Sequence, residues 1–383
     1  QDIYLQGSLA RLEDHYPYGP AFALAFTPFL LLPPAGLAVV HTLLHIIGYV
    51  GLYVVWFQMF SQWEFKDCER LMVWTVPVWL LFSSFWTDLG YLNIYTIVAL
   101  IGTLFIKAVI HENLVMAVLW LTLILQVKPH WAFALAVPLL LGRLKFLFRL
   151  LGFTIVSYLL IMLIVILIVG LSYGIQQYTD YIGFLGRLSN DFPWRTQSDG
   201  FIGYDNSIKQ IVVYLLGLAS WSISIATLTK FVLLLPLMLV TFRHLRRPSK
   251  KLGNTIPLRA LDIAFVFYLG AFIWLDMVWE LSLGVPLFVY LLGTLNRRSA
   301  KSLVAGAFLP YALLDPWRVT GLGLTLVGWD VIAPGPYILT DPAIYVPLIM
   351  LCILVFYALL IRRLWTVPHP NYNNTHPNIK AAL

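Results

Sequence analysis

The chain has 383 residues, 60% of them hydrophobic and 11% charged, with a mean hydropathy of +0.82. Soluble globular chains carry about 25% charged residues, so this composition excludes that class and defines a polytopic membrane protein. The formal net charge of +7 raises the question of a nucleic-acid partner, which the placement of the basic residues answers.

The first twenty residues, QDIYLQGSLARLEDHYPYGP, are polar and feed directly into apolar chain. They carry Asp2, Arg11, Glu13, Asp14, His15, Tyr16 and Tyr18, and end in the rigid aromatic step YPYGP. The chain opens at Gln1 with no signal-peptide pattern, and we read it as truncated at its N-terminus. Ala21–Leu32 is apolar but too short to cross, so residues 1–34 read as an outer loop with a half-inserted helix.

Hydropathy then gives spans at 35–60, 70–87, 93–110, 113–127, 130–147, 149–172, 219–242, 258–275, 281–295, 300–314 and 343–362. That is about eleven transmembrane helices, or twelve if a first span is missing. Of the 25 basic residues, eighteen fall on one side, six (Arg11, Lys128, Arg187, Arg195, Lys209 and Arg318) on the other, and Lys230 within a span. The positive-inside rule puts RHLRRPSKK and the C-terminus in the cytoplasm and Gln1–Pro20 outside. The charge is thus a topology signal, and no nucleic acid is needed. The expectation is one all-α domain over 1–383 in a plasma membrane. Its long outer loops are 173–209 and 315–342, and its cytoplasmic tail is 366–383.

His41 and His45 lie one turn apart on the first full span and read as helix–helix contacts, since no third metal ligand follows in range. Trp63–Arg70 reads as a solvated cytoplasmic loop. In FWTDLGYLN, Asp88 and Asn93 bracket a tight turn. Either they satisfy backbone donors there or they form a polar shelf on an outer cavity. LQVKPHW places Lys128 and His130 about Pro129 at an outward turn, against the charge bias of that face. A snorkelling lysine explains this, as does an anion site for a phosphate-bearing lipid, and we favour the second.

The stretch 173–209 is rich in Tyr, Gly, Asp and Ser; Arg187 and Arg195 are its guanidiniums, a geometry suited to phosphate. Asp276 and Glu280 stand one turn apart and read as a solvated turn, with a cation or metal pair as the alternative. Arg318 lies in the last outer loop. Cys68 and Cys352 make no disulfide framework. No repeat appears, and Lys230 is the one ionisable residue singled out within a span, so the layout favours surface chemistry over transport.

An outer Asp, a YPYGP step, a turn ending GYLN and a KPH turn, in that order, resemble family 87 of the GT-C glycosyltransferases. That family includes polyprenol-phosphate-mannose-dependent α-mannosyltransferases. Its pattern is an Asp in the first outer loop, a YPPL-like step, a GQxN-like turn and a KP-type turn. Asp2, Tyr16–Pro20, Gly90–Asn93 and Lys128–Pro129 match these in turn over roughly the first 210 residues. Tyr91 replaces the usual Gln, and Trp279–Glu280 is followed by Leu281 and Ser282 where members often carry a His after the Trp.

The resemblance implies a GT-C-like bundle that moves a sugar, mannose by expectation, from a polyprenyl-phosphate donor to a lipid or glycan acceptor outside the membrane. It implies Asp2 as base and Lys128, His130, Arg195 and Arg318 on the donor phosphate. Tyr16, Tyr18, Asp88 and Asn93 would line the substrate path. No cofactor is called; a divalent cation held by Asp2 with Asp88 or Glu13 is an option, without a dedicated oxygen-ligand motif. A transporter or lipid flippase and a non-catalytic scaffold are the alternatives.

Overall fold

The computed structural model describes residues 18–90, 93–199, 202, 205–246, 256–277, 280–314, 328 and 342–366. Among these residues every regular element is helical. In chain order the α-helices are α1 (Pro20–Phe26), α2 (Pro34–Gln62), α3 (Lys66–Trp74), α4 (Val76–Leu80), α5 (Ser83–Gly90), α6 (Tyr95–Ile110), α7 (Leu114–Val127) and α8 (Ala136–Leu140). They continue as α9 (Leu144–Val169), α10 (Leu171–Asp191), α11 (Ile208–Leu216), α12 (Ser220–Arg246), α13 (Ile256–Trp274), α14 (Gly284–Thr294), α15 (Arg298–Ala312) and α16 (Pro342–Thr366).

Lipid exposure follows helical spacing. On α2 the residues His45, Gly48, Leu52, Trp56 and Met59 are buried. Val39, Leu43, Ile47, Val50 and Val54 form the opposite, exposed stripe. An exposed apolar stripe of this kind is unfavourable in water and neutral in hydrocarbon. The helix α13 is different. Two thirds (67%) of its apolar window is buried, against 17% for α2 and α9. It is the interior helix, packed by α6, α8, α12, α16 and the 3₁₀ turn Pro129–Leu135.

Among the described residues five helices are long and apolar enough to cross a membrane: α2, α9, α12, α13 and the Pro347–Thr366 part of α16. A sixth crossing is available if Val76–Gly90 and Tyr95–Ile110 form one broken span, bent by 115°. The sequence predicts about eleven, and several of those segments fall on shorter apolar helices. Thus α7 has 14 residues, about 21 Å at the usual rise, less than a bilayer core of about 30 Å. The expected span 70–87 is three helical pieces, α3, α4 and α5.

Two expected loops are helical. Within Trp63–Arg70, α3 begins at Lys66 and buries Cys68 and Met72, with α14 packed beside it. Much of 173–209 is α10, which leaves α9 at Gly170, where φ is +98°, a conformation glycine adopts without a Cβ clash. The helix packs on α9 through Gly174 and Tyr178, also buries Gln177, Tyr181 and Phe184, and exposes Leu171, Ile175, Ile182 and Leu185.

On the other side of the bundle, Arg363 of α16 donates from Nε to Asp262 Oδ2 of α13 at 2.8 Å, and from Nη2 to Oδ1. Its Nη1 reaches Thr294 Oγ1 of α14 at 2.6 Å, and the Tyr290 hydroxyl donates to Asp262 Oδ1 at 2.6 Å. Three helices are pinned by this buried pair. Both cysteines are buried: Cys68 beside the Tyr290 carbonyl, Cys352 within α16.

Candidate active site

The site forms where the chain bends between α5 and α6. Asp88 is 2% exposed and receives four donors or partners. Its Oδ1 accepts from Tyr95 N at 3.0 Å, and its Oδ2 from Thr96 N and Thr96 Oγ1, each at 2.7 Å. These backbone amides are orphan donors at the start of α6, where a carboxylate also meets the positive end of the helix dipole. His45 Nε2 lies 3.2 Å from the same Oδ2. The ring's Nδ1 faces the His41 carbonyl at 3.0 Å, while His41 Nε2 faces the Asn93 carbonyl at 2.8 Å. The two histidines therefore tie α2 to the bend, as helix–helix contacts. Asp88 satisfies backbone donors of the turn with its side chain, while Asn93 takes part through its backbone, its amide donating to the Asp88 carbonyl at 2.9 Å.

Lys128 faces this bend from the end of α7. The residue before a proline is driven out of the helical region, and Lys128 is extended, at φ −144° and ψ 87°. Its side chain leaves the helix and places Nζ 3.7 Å from the centre of the Tyr95 ring and 5.2 Å from that of Tyr18. Among the described residues no ion pair reaches this ammonium. Burial lowers Lys128 to about 7, with the negative charge of Asp88 acting the other way. The Tyr18 hydroxyl is pushed up by burial and by Asp88. Tyr18 is brought here by Gly19, which lies so close to α7 that a Cβ would come within 2.9 Å of the Gln126 carbonyl oxygen.

Two buried polar side chains flank the lysine without partners among the described residues: the amide of Gln126 at both ends and the indole nitrogen of Trp131. Such groups are costly in a low-dielectric interior. His130 shares the turn, half-buried.

A second polar cluster lies beyond α6. Lys230 of α12 donates to the Trp274 and Leu275 carbonyls at 3.0 and 3.1 Å and to Asp276 Oδ1, closing the end of α13. Lys209 reaches Asp276 Oδ2 at 3.2 Å and stands 4.2 Å over the Trp194 ring. Asp205, held by Ser207 N and Oγ at 3.0 and 2.9 Å, is felt electrostatically by both Tyr95 and Lys230. It links the two clusters. Glu280 is buried and accepts from the Tyr311 hydroxyl at 2.8 Å. The expected solvated turn at Asp276 and Glu280 is instead a paired carboxylate and a buried one.

Of the predicted site residues, Tyr18, Asp88, Asn93, Lys128 and His130 come together. Arg195 is exposed, its backbone bonded to the Gln210 amide at 3.2 and 2.8 Å. Asp2, Tyr16 and Arg318 lie outside the described residues. Among the described residues no group of three His, Cys, Asp or Glu side chains is placed to hold a metal. Asp88, the described member of the optional cation set, already has both oxygens engaged. Sequence reading missed Tyr95, Gln126 and Asp205. It noted Lys230 without its partner, although a charge within a span calls for a counter-charge and Asp276 was at hand.

Among the described residues the fold is all-helical, with apolar helices suited to a membrane and a half-buried cation beside tyrosines at a broken helix. The profile of glycosyltransferase family 87 matches residues 16–269, well over half of the chain, and the chain belongs to that family. No curated protein and no solved structure matches it.

Proposed function

We propose that this glycosyltransferase takes a sugar, by family expectation mannose, from a polyprenyl-phosphate carrier and transfers it to a lipid or glycan acceptor at the extracytoplasmic face. In this reading the bundle is GT-C-like, with about eleven crossings, some of them made by short or broken helices. It lies in the plasma membrane, with its C-terminus in the cytoplasm. The observation that carries the proposal is the Lys128 ammonium, seated on two tyrosine faces with no carboxylate paired to it among the described residues. A cation so placed has its three donors available for an anion and sits where a prenyl chain can lie against aromatic rings.

The chemistry is a displacement at the anomeric carbon. Asp2 takes the proton of the acceptor hydroxyl, whose oxygen attacks the sugar. The bond to the phosphate oxygen breaks, and the phosphate leaves with one more negative charge than it brought. Lys128 meets that growing charge, with His130, Arg195 and Arg318 as further contacts. Tyr16 and Tyr18 line the sugar or prenyl path.

The test is incubation of purified protein with radiolabelled polyprenyl-phosphate mannose and extracted membrane lipids, followed by product identification. Transfer by the parent protein and none by a folded Asp2→Asn variant is expected. Undiminished transfer by that variant removes Asp2 as base, and flux of the carrier across liposomes without any glycosylated product overturns the enzyme reading.

A further inference from the structure

Lys128 does not hold its position by itself. Cations in a partly buried site are ordinarily fixed by a paired carboxylate, and here the support is indirect. The ring of Tyr95 lies 3.7 Å from Nζ. Tyr95 is the first residue of α6, and its amide is bonded to Asp88 Oδ1 at 3.0 Å. The next amide and hydroxyl, of Thr96, hold Oδ2, and His45 braces that oxygen from α2. Asp88 is thus the fixed point that orients the first turn of α6, and the same carboxylate is the negative charge felt by Lys128.

We propose that Asp88 and Tyr95 are positioning residues for the donor-binding cation: Asp88 anchors the start of α6, Tyr95 carries the ammonium on its face, and together they fix where Lys128 meets a phosphate. The inference rests on the reading of Lys128 as the donor-phosphate contact. An aromatic face holds a cation in place without neutralising it, whereas a salt bridge would compete with the incoming anion. The Asp88 charge is felt by the ammonium while its oxygens are bonded to the amides of Tyr95 and Thr96. Among the described residues the charged and titratable groups about Lys128 are Tyr18 from the segment before α1, Tyr95 and Asp88 from the bend, and His130 on its own turn. His45 is paired with Asp88, and Asp205 is felt electrostatically by Tyr95.

The experiment uses the full chain in detergent and a phosphodiester of fixed single charge, citronellyl methyl phosphate, titrated between about pH 5 and pH 9. The parent protein should bind with an affinity that falls above about pH 7. Tyr95→Phe keeps the ring and should bind as the parent does. Tyr95→Leu should weaken binding by about tenfold with the cation–ring contact gone. Asp88→Asn removes the charge that sustains the ammonium and should move the midpoint of the pH dependence down by about one unit.

A solely structural role for Asp88 would reduce the amount of folded protein and leave that midpoint in place, which overturns its share of the proposal. If Asp88→Asn fails to fold, Tyr95→Leu against Tyr95→Phe decides: equal affinities overturn the inference, and loss in Tyr95→Leu alone supports it. Lys128→Gln separates the two levels. Parent-like binding by Lys128→Gln removes the donor-phosphate reading itself. Loss there, with Tyr95→Leu and Asp88→Asn unchanged, leaves that reading standing and overturns only the positioning roles.

Discussion

Lys128 and Asp88 lie forty residues apart in the chain, yet both meet Tyr95: the ammonium stands 3.7 Å from its ring centre and the carboxylate accepts from its backbone amide at 3.0 Å. The carboxylate is spent on backbone amides and the ammonium is held on π-faces, so opposite charges are kept near each other without forming a salt bridge. A site built this way keeps the ammonium free of a carboxylate partner among the described residues.

The first prediction concerns the charge of that ammonium. If Lys128 faces the departing phosphate as proposed, replacing it by Gln should lower kcat/KM for transfer by about 10²–10³-fold, the usual cost of losing one such stabilising donor. Lys128→Arg retains charge and stacking, and should keep more activity than Lys128→Gln. Steady-state kinetics with a labelled donor checks both.

The second follows from the lowered value of Lys128. The charged form is complete below about pH 7 and is lost as pH rises through it. Donor binding restores the charge and takes up a proton, so donor affinity should weaken by up to about tenfold per pH unit above 7. The effect on folding has the other sign. Between about pH 7 and the unfolded value near 10.4 the unfolded chain binds the extra proton, so this lysine makes the unliganded protein more stable as pH rises through that window. Binding and thermal unfolding measured across the same pH series would show opposite slopes from this group.

The third concerns the buried pair that joins α13 and α16. Arg363 and Asp262 are 14% and 4% exposed in their side chains, and either one left without the other is an uncompensated buried charge. Asp262→Ala or Arg363→Ala should destabilise the folded bundle by about 3–5 kcal/mol, and the apolar pair Asp262→Leu with Arg363→Met should recover most of that loss. Thermal unfolding in detergent is the measurement, and an additive double variant would contradict it.

A fourth prediction separates two lysines that share one carboxylate. Lys230 satisfies the Trp274 and Leu275 carbonyls as well as Asp276, whereas Lys209 bonds Asp276 and covers Trp194. Lys230→Met therefore strands two helix-end carbonyls in a membrane interior, and should destabilise the protein by about 1–3 kcal/mol more than Lys209→Met. The comparison is again by thermal unfolding.

Much of this was legible in the chain, for reasons that can be named. Composition and the runs of apolar residues define a helical membrane protein because hydrocarbon demands internally bonded backbone. The Lys128–Pro129 turn stood out because a proline forces the preceding residue out of the helix and a lysine on that face runs against the charge bias. Crossing helices were harder to delimit. A run such as Leu114–Val127 is apolar along its length, and hydropathy alone does not say that it ends short of a full crossing. Tyr95 escaped notice because a tyrosine at the start of an apolar helix reads as an interfacial anchor, and its role depends on contact with residues far away in sequence. The two-lysine arrangement at Asp276 was hidden for the same reason: Lys209, Lys230 and Asp276 come from three different helices or their ends.

Both native thiols are enclosed, Cys68 under α14 and Cys352 inside α16, and burial pushes the Cys68 thiol up to about 12. Neither offers the accessible thiolate that maleimides require. A single reporter cysteine placed at an exposed position such as Ser198 or Arg298 can be labelled in the otherwise unaltered protein. A membrane-impermeant reagent applied to intact cells then reads out which side each position faces.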